Sequence, residues 1–238
     1  MKSISTIAVL SAIQPEFESF VHFMSNVHKK KIKGMTYYFG NIGRFNIVAL
    51  VTGIGQTNSA FSTSSVVHQF DPDLLIFSGI SGAINRELKV GSIVVGKTVF
   101  SAESLSLKSI TSENYRKCRH GILPDTKFST PRFLQEKVKK LIKSSNQNVH
   151  FGTLVSSDFF PMPDYIPEKF CDNLVDSIDM ESAAFYQVCK QMKKPCVAIR
   201  SISNYAEPKK KVRLKSDLIK LSAKNAAEFS NRLILSLE

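Results

Sequence analysis

Long apolar runs are absent from this sequence of 238 residues. A bilayer-spanning helix needs roughly 18 or more consecutive apolar residues, and no segment comes close. The apolar stretch that ends at Ile13 could pass for the core of a signal peptide, but little basic charge precedes it. Gln14-Pro15-Glu16 then stands where small cleavage-site residues belong. We therefore expect a buried first strand, a cytoplasmic protein and no membrane partner.

Cysteine is scarce as well. The chain has Cys118, Cys171, Cys189 and Cys196, with no C-x-x-C pair among them. Zinc sites and disulfide frameworks use tighter spacings than these. Cys189 and Cys196 lie in apolar periodic segments, where a free thiol packs like a small hydrophobic group. The sequence therefore predicts reduced, structural cysteines and no metal site.

Acidic residues are fewer than basic ones: 20 Asp and Glu stand against 32 Lys and Arg, a formal net charge of +12. Such a charge raises the question of nucleic acid as a partner. The excess comes in two short runs, Lys29-Lys30-Lys31 and Lys209-Lys210-Lys211 with Arg213, and no nucleic-acid recognition motif accompanies them. We expect a solvated basic face and no nucleic-acid partner.

No repeat or linker divides the sequence, so we expect a single domain over residues 1–238. Short apolar runs alternate with segments whose apolar residues recur every three or four positions. This alternation predicts an α/β domain with a parallel or mixed sheet covered by helices on both faces, and a ligand site at the carboxyl ends of its strands. The predicted strands are Thr6–Ile13, Met35–Phe39, Phe45–Val51, Leu74–Ser78, Ile93–Val95, Thr153–Ser156 and Cys196–Ile202.

The helical periodicity is most regular in three later segments, around residues 134–142, 184–192 and 219–233. The stretch from Phe100 to Pro131, in contrast, has weak periodicity and many polar residues. We interpret it as a long excursion beside the sheet, in a place suited to an active-site wall.

Two carboxylates and an arginine lie next to predicted strands or helices. Glu16 follows the first strand, Glu181 stands at the entrance to an apolar helix, and the last strand leads through Arg200 to Asn204. Taken singly, Glu16 and Glu181 fit helix caps and Asn204 fits a turn as well as they fit functional groups.

Glycine turns are predicted after two other strands, in Thr52-Gly53-Ile54-Gly55 and in Ser78-Gly79-Ile80-Ser81-Gly82. Glycine allows positive φ and a close approach of the backbone to a ligand. Neither segment is a Walker loop or a dinucleotide G-x-G-x-x-G motif. Tight turns alone explain them as well as a ligand site does.

The order and spacing of these motifs resemble those of the purine nucleosidase and phosphorylase family, and most of all its 5′-methylthioadenosine/S-adenosylhomocysteine nucleosidase branch. The resemblance covers nearly the whole chain and is weakest between residues 100 and 150. It implies a nucleoside-phosphorylase-like three-layer fold, with a central mixed β-sheet flanked by helices. The motifs that carry it are Ile7–Ala12 with Glu16, Thr52–Gly55, Pro72–Ile76 with Gly79 and Gly82, Lys89–Val94, Val155–Phe160, Asp179–Ala184 and Val197–Ser203.

What the resemblance implies is hydrolysis of the bond between a purine and a 5′-substituted ribose. Glu16 matches the carboxylate that orients and deprotonates the attacking water, and Arg200 helps to hold the network on that side. Glu181 matches the carboxylate that grips the ribose 2′- and 3′-hydroxyls. An oxocarbenium-like sugar is stabilised by nearby carboxylates, which agrees with these roles. The other matches are substrate-binding positions: Met180 on the sugar, Phe160 stacked on the purine, the Pro161 backbone at the base edge, and Ala12, Ile54, Gly79 and Ser203.

Three positions distinguish this chain within the family. Asn204 stands where the nucleosidases carry an Asp that protonates purine N7, and an amide can donate a hydrogen bond but not a proton at neutral pH. Ile80 stands where a small hydroxyl residue usually lies near the water. Phe77 stands where phosphorylases carry a phosphate-binding arginine, so water is favoured over phosphate as the nucleophile.

Two alternatives to an adenine-releasing nucleosidase stay open. Phosphorylases that prefer 6-oxopurines carry an Asn at the place of Asn204, which favours a nucleosidase for inosine- or futalosine-like nucleosides. The other alternative is a catalytically weak nucleoside-binding protein with a basic surface, which Ile80 favours and the retained Glu16 and Glu181 oppose. Because nucleosidases of this branch are usually homodimers, we expect a homodimer. The reaction needs no metal or organic cofactor.

Overall fold

The computed structural model describes residues 4–103, 127–159, 175–206 and 215–238. Within these residues the chain forms a ten-stranded sheet with helices between its strands. The strands are β1 (Thr6–Ser11), β2 (Ser25–Ile32), β3 (Met35–Ile42), β4 (Phe45–Val51), β5 (Leu74–Ala83), β6 (Ile93–Ser101), β7 (Lys127–Ser129), β8 (Val149–Ser156), β9 (Ser177–Asp179) and β10 (Cys196–Tyr205). The helices are α1 (Gln14–Val21), α2 (Gln56–Phe70), α3 (Arg132–Lys143), α4 (Ser182–Gln191) and α5 (Ser216–Leu235).

The sheet is mixed, with a parallel centre. β5 pairs in parallel with both β1 and β10, and β1 pairs in parallel with β4. Beyond β4 the sheet continues antiparallel through β3 to the edge strand β2. On the other side β10 pairs with β6, β6 with β8, β8 with β9, and β9 returns to β5, so that five strands close a ring. The carboxyl ends of β1, β5 and β10 therefore meet at one edge.

Helices cover both faces of this sheet. Along β1, Leu10 packs in the same buried cluster as Phe185 of α4, whereas its neighbour Val9 packs with Leu134 of α3 and Phe229 of α5. Successive side chains of a strand point to opposite faces, so an uninterrupted apolar run such as β1 requires a layer on each side. The predicted three-layer fold is confirmed.

The edge strand β2 does not follow from the hydrophobic pattern. Its side chains are exposed from Ser25 to Lys31, and a turn with positive φ at Lys33 and Gly34 connects it to β3. Such a turn is typical of a tight hairpin, and lysines on an edge strand oppose pairing with other chains. The predicted solvated face is confirmed for Lys29-Lys30-Lys31, while residues 209–213 lie outside the described residues.

Several strands run further than predicted, and the extensions of β5 and β10 bear on the site. β5 continues to Ala83, so the expected turn at Gly79 and Gly82 is wrong: both glycines lie inside the strand. β10 likewise continues through Asn204, which excludes a turn there as well. The two extensions pair with each other, Gly79 with Arg200 and Gly82 with Asn204. These long-range backbone hydrogen bonds override the local preference of glycine and asparagine for turns.

The predicted excursion from Phe100 to Pro131 is described only at its ends. β6 continues to Ser101, and β7 pairs with β6, so both ends belong to the sheet rather than lying beside it. Residues 104–126 lie outside the described residues, as do Cys118 and Cys171. Cys189 and Cys196 are buried and free, as predicted. Among the described helices, none has the length and apolar character needed to cross a membrane.

Candidate active site

A cavity of about 370 Å³ opens at the carboxyl ends of β1, β5 and β10. Most of its wall is apolar, and the polar groups that face it are concentrated in three carboxylates and one amide. Its lining residues are Ala12, Ile13, Glu16, Ile54, Ile80, Ser81, Gly82, Phe159, Ile178, Asp179, Met180, Glu181, Ser203, Asn204, Ala206 and Ile219.

Glu16 lies in the first turn of α1, directly after β1. Its Oε2 accepts hydrogen bonds from the backbone N–H groups of Ala12 at 2.8 Å and Ile13 at 3.1 Å. Its Oε1 accepts one from the N–H of Ile80 in β5 at 2.8 Å. The helix-cap interpretation is therefore correct as geometry. A helix cap requires neither a hydrogen bond from a distant strand nor burial, yet Glu16 has the bond from Ile80 and is only 2 % exposed. These two features hold its carboxylate in one position in the cavity.

Arg200 of β10 is a fully buried cation next to the carboxylates. Its Nε lies 3.1 Å from Asp179 Oδ2, and its Nη1 lies 3.3 Å from Glu181 Oε2. Nε and Nη2 also donate to Ser182 Oγ at 3.1 and 3.0 Å. The guanidinium lies 4.5 Å from the centre of the Phe77 ring. The Phe77 ring thus packs against the guanidinium, and its apolar side chain has no group that could bind phosphate.

Burial and crowding of like charges shift the pKa values in this cluster. Burial raises the pKa of Glu16, although Arg200 and the three backbone N–H groups act against it. Burial raises the pKa of Glu181 to about 7; Arg200 opposes this shift, and the charges of Asp179 and Glu16 add to it. Burial alone would lower the pKa of Arg200, but the surrounding carboxylates hold it above its ordinary value. Arg200 therefore stays cationic next to the three carboxylates. Of these, Glu16 and Glu181 bind protons more readily than ordinary glutamates do.

Gly79 provides the space in which Glu16 and Arg200 approach each other. A Cβ atom at this position would lie 2.7 Å from Arg200 Nη1 and 2.7 Å from Glu16 Oε1. These distances are far below van der Waals contact, and both neighbours are buried and held by hydrogen bonds. Glycine is required here for clearance within a strand, not for a turn.

The segment from Asp179 to Ser182 fixes the second carboxylate. Asp179 Oδ1 accepts hydrogen bonds from Ser156 Oγ at 2.5 Å and from the N–H groups of Glu181 at 3.0 Å and Ser182 at 2.9 Å, so it caps the start of α4. Glu181 Oε1 accepts from the N–H of Gly55 at 3.0 Å, where a φ of 100° favours glycine. Glu181 is thereby held between the first turn of α4 and the glycine turn before α2.

Asn204 brings an amide to the cavity wall. Its Oδ1 accepts a hydrogen bond from Ser203 Oγ at 2.8 Å, and its Nδ2 donates to the carbonyl of Tyr205 at 3.1 Å. A bulge in the pairing of β10 with β5 falls between Ile202 and Asn204. The bulge re-aims the end of the strand and allows both Ser203 and Asn204 to line the cavity.

Most of the site residues predicted from sequence come together around this cavity. Gly79 does not line the cavity but lies next to Glu16 and Arg200. Phe160 and Pro161 lie outside the described residues. Phe159, their neighbour, lines the cavity and is 57 % exposed. The remaining predicted positions found at the cavity are Ala12, Ile54, Met180 and Ser203.

Sequence reasoning missed Asp179 and Ser182 as partners of Arg200. The available signal was the Asp-x-Glu-Ser order before an apolar helix, in which the Asp is placed to cap the helix and the Ser hydroxyl, in its first turn, is placed to accept hydrogen bonds from Arg200. Ile80, the position where the family usually has a small hydroxyl residue, donates its backbone N–H to Glu16 and lines the cavity. In the described part of the chain, no group of three or more His, Cys, Asp or Glu side chains is arranged to hold a metal ion.

Comparison with known proteins gives a consistent result. The family model of the phosphorylase superfamily matches residues 6–237. The 5′-methylthioadenosine/S-adenosylhomocysteine nucleosidase of Buchnera aphidicola subsp. Schizaphis graminum is 30 % identical over 203 residues, which cover 84 % of this chain and 84 % of that protein.

Solved structures agree with this match. The nucleosidase of the same kind from Neisseria meningitidis, in complex with methylthio-immucillin-A, superimposes with a TM-score of 0.83 at 26 % identity and covers 98 % of this chain and 100 % of that one. The futalosine hydrolase of Helicobacter pylori strain 26695 superimposes with a TM-score of 0.81 at 20 % identity, covering 97 % of each chain. At that identity it shows the fold alone.

Proposed function

Because this chain belongs to the phosphorylase superfamily, on its 5′-methylthioadenosine/S-adenosylhomocysteine nucleosidase branch, we propose that it hydrolyses the N-glycosidic bond of purine nucleosides. The observation that carries the proposal is the pair of buried carboxylates, Glu16 and Glu181, that face one apolar cavity beside the buried cation Arg200. Water attacks the anomeric carbon, the carbon–nitrogen bond breaks with its electron pair on the purine, and free purine and the sugar are released.

Glu16 acts as the general base on the water side. Its carboxylate is held by three backbone N–H groups and cannot swing away from the cavity. Burial raises its pKa, which makes it a stronger base than an exposed glutamate. Arg200 stays cationic next to it and steadies the anion. The proton that water loses passes to Glu16.

Glu181 binds the ribose. A carboxylate can accept hydrogen bonds from two neighbouring hydroxyls, and its charge also favours the positive sugar of an oxocarbenium-like transition state. Gly55 and Arg200 fix the two oxygens of Glu181. The preceding residue, Met180, lines the cavity with an apolar side chain that packs on the sugar.

Asn204 contacts the purine as it leaves the sugar. Its amide can donate a hydrogen bond to the developing negative charge but cannot supply a proton. The proton that completes the free base therefore comes from solvent, and Glu16 returns to solvent the proton that it took from the attacking water. This difference from an acid at the same place predicts a slower reaction on adenine nucleosides, without excluding it.

The apolar wall suits an uncharged 5′ substituent such as methylthio. Ile54, Ile80 and Phe159 line the cavity, which is apolar over most of its surface. Burying apolar groups of the substrate against such a wall contributes about 25 cal/mol per Å² of apolar surface removed from water. We therefore place 5′-methylthioadenosine first among the substrates. S-Adenosylhomocysteine, whose 5′ group carries an ammonium and a carboxylate, follows from the family match and not from the apolar wall.

A purine-release assay without phosphate tests the function. 5′-Methylthioadenosine, S-adenosylhomocysteine, adenosine and inosine are offered to the wild type, to Glu16→Gln and to Glu18→Gln, an exposed carboxylate on the same helix. We expect release that falls 10²- to 10⁴-fold in Glu16→Gln, is unchanged in Glu18→Gln and does not depend on added phosphate. Release that requires phosphate would assign a phosphorylase, and no release from any substrate would leave only a nucleoside-binding protein.

A second candidate is a preference for 6-oxopurine nucleosides. The observation that favours it is the amide of Asn204, which offers both an acceptor and a donor at the cavity wall. These two groups match a protonated purine N7 and a 6-oxo group. Asn204→Asp is expected to raise adenine release and lower hypoxanthine release. Equal rates and unchanged preference in Asn204→Asp would remove Asn204 from base selection.

We also propose that the protein is a homodimer. Ile54, Phe61 and Phe159 are 53 %, 63 % and 57 % exposed, and two of them line the cavity. Phe61, the third, lies in α2, the helix that follows Ile54. Large apolar side chains exposed at and next to a site are typical of a surface that another chain covers. A second copy would then close the cavity. The cytoplasmic location stays a prediction from the sequence.

A further inference from the structure

Glu103 gathers hydrogen bonds from three segments near the cavity, although it does not line the cavity itself. Its Oε1 accepts from Ser157 Oγ at 2.7 Å and from the N–H of Asp158 at 3.1 Å. Its Oε2 accepts from Ser101 Oγ at 2.8 Å and from Gln56 Nε2 at 3.1 Å. These four groups are donors, so they bind the ionised carboxylate. Burial would raise the pKa of Glu103, but these bonds lower it overall.

Through these bonds Glu103 holds two segments of the cavity mouth, residues 157–159 and the first turn of α2. Ser157 Oγ, held by Glu103, accepts the N–H of Phe159, which lines the cavity. Asp158, whose backbone is held by Glu103, accepts the N–H of Gln56 on its Oδ1 at 2.6 Å. The first turn of α2 is therefore fixed by both the side chain of Asp158 and that of Glu103.

This first turn of α2 leads directly to the ribose-binding carboxylate. Gly55, next to Gln56, donates its N–H to Glu181 Oε1 at 3.0 Å, and Ser59 Oγ donates to the carbonyl of Glu181 at 3.1 Å. A displacement of this turn would remove a hydrogen bond from Glu181. It would also move Ile54, which lines the cavity.

We propose that Glu103 is a positioning residue, which fixes Phe159 and the first turn of α2 so that the ribose site around Glu181 is formed before substrate arrives. The inference rests on the proposed function, because it takes Glu181 as the ribose-binding group. Glu103 touches no reacting atom. It affects substrate affinity by holding residues that contact the substrate, which is a common role for the hydrogen-bond partners of binding residues.

The chemistry of the carboxylate makes Glu103→Gln a sharp test. Both oxygens of Glu103 receive donors, and a glutamine presents an NH₂ group to one of these pairs. Two donors then face another donor and lose their acceptor. Bonds to a charged acceptor are stronger than those to a neutral one, so the remaining pair is weakened as well.

Two serines provide matched single-atom controls. Ser157 and Ser101 donate to the same carboxylate at nearly equal distances, 2.7 and 2.8 Å. Ser157 belongs to the segment that carries Phe159, whereas Ser101 ends the strand from which Glu103 itself follows. Ser157→Ala breaks a link to the cavity wall. Ser101→Ala removes a hydroxyl from the same carboxylate without breaking such a link.

The experiment measures kcat and KM for purine release, together with amide hydrogen exchange, in the full chain. In Glu103→Gln we expect KM to rise about tenfold, the loss of about 1.4 kcal/mol, with kcat within about threefold. Ser157→Ala should follow in the same direction, and Ser101→Ala should resemble the wild type. Exchange should accelerate in the first turn of α2 and stay unchanged in α5. Glu136→Gln, at an exposed pair with Arg132, is the surface control.

The outcomes separate the two proposals. Equal KM values in the wild type and Glu103→Gln, or equal effects of the two serine variants, would overturn the role of Glu103 while the nucleosidase stands. If the wild type releases no purine, the proposed function fails. Hydrogen exchange still decides then whether Glu103 fixes the first turn of α2, and unchanged exchange there would overturn it.

Discussion

At the scale of single residues, Glu16, Arg200 and Gly79 depend on each other. The carboxylate and the guanidinium are both buried, and the glycine is the only residue type that leaves them room. Neither side chain can yield readily, because Glu16 is bound by three N–H groups and Arg200 by Asp179 and Ser182. A change at any of these positions acts on the others.

Gly79→Ala is therefore expected to damage both catalysis and stability. The added methyl group overlaps two held side chains, and overpacking of this kind costs about 1–3 kcal/mol. Because the displaced group is the proposed base, we expect at least a hundredfold loss of purine release. Steady-state kinetics and denaturant unfolding measure the two effects. Gly34→Ala is the control: its φ of 86° makes alanine strained, but no atom lies within 4 Å of the added Cβ. It should lower stability alone, and a fully active Gly79→Ala would contradict the clearance argument.

The pH dependence of purine release follows from the same cluster. Glu16 must be ionised to accept a proton, and Glu181 binds the ribose hydroxyls best as an anion. Both pKa values are raised, that of Glu181 to about 7, so activity is lost as pH falls through these values. A plot of kcat/KM against pH, which reports the free enzyme, should have its acid limb well above 4.5 and near 7. A limb near 4.5 would mean that neither group controls binding or catalysis. Glu18→Gln should leave the limb in place.

At the scale of elements, an ion pair away from the cavity joins β8 to Asp176, the residue directly before β9. His150 Nε2 of β8 lies 3.0 Å from Asp176 Oδ1, and Asp176 also accepts the N–H of Thr153 at 2.7 Å and the amide of Asn85 at 3.3 Å. The hydrogen bond to Asp176 and its charge raise the pKa of His150, against burial. Burial would raise the pKa of Asp176, but the hydrogen bonds from His150 and Thr153 lower it overall.

The contribution of this pair to folding should depend on pH in a defined direction. Because the pKa of His150 is raised in the folded state, its contribution is complete below the unfolded value of about 6.5 and is lost as pH rises through the folded value. Asp176, with a lowered pKa, keeps its full contribution above its unfolded value of about 3.9 and loses it as pH falls through the folded value. His150 is half exposed, so we expect His150→Gln to lower the free energy of unfolding by at most about 1 kcal/mol at pH 5.5, and by little at pH 9.

Urea unfolding of the wild type, His150→Gln and His22→Gln at both pH values measures this effect. His22 is exposed, and its replacement should change little at either pH. An equal loss at pH 5.5 and pH 9 in His150→Gln would indicate lost packing instead of the ion pair.

At the scale of the whole molecule, the exposed apolar side chains at the cavity mouth predict self-association. Phe61→Glu places a charge on the exposed face of α2, the helix that follows Ile54, and should convert a dimer of twice 26.6 kDa to a monomer, since an unpaired charge is costly to bury. Light scattering coupled to size-exclusion chromatography measures the mass. Leu235→Glu, at the far end of α5 and 41 % exposed in the wild type, should leave the dimer intact. A wild type that runs as a monomer would contradict the homodimer.

Much of the fold followed from local patterns. The apolar runs of β1, β4 and β5 and the periodic segments of α3, α4 and α5 were predicted where they occur. β2 was not, because its register comes from a hairpin turn and its side chains are polar. The ends of β5 and β10 were not either, because glycine and asparagine favour turns locally and only the partner strand shows that they are paired.

The sequence by itself determined the order of motifs, and with it the family and the proposed roles of Glu16, Glu181 and Arg200. Only the tertiary structure decided that Gly79 is clearance for two charged side chains, that Asp179 and Ser182 bind Arg200, and that Glu103 joins three segments of the wall. Periodicity and motif order are properties of neighbouring residues and can be read along the chain. These contacts join residues tens of positions apart, so they exist only once strand register and packing bring the groups within hydrogen-bond distance.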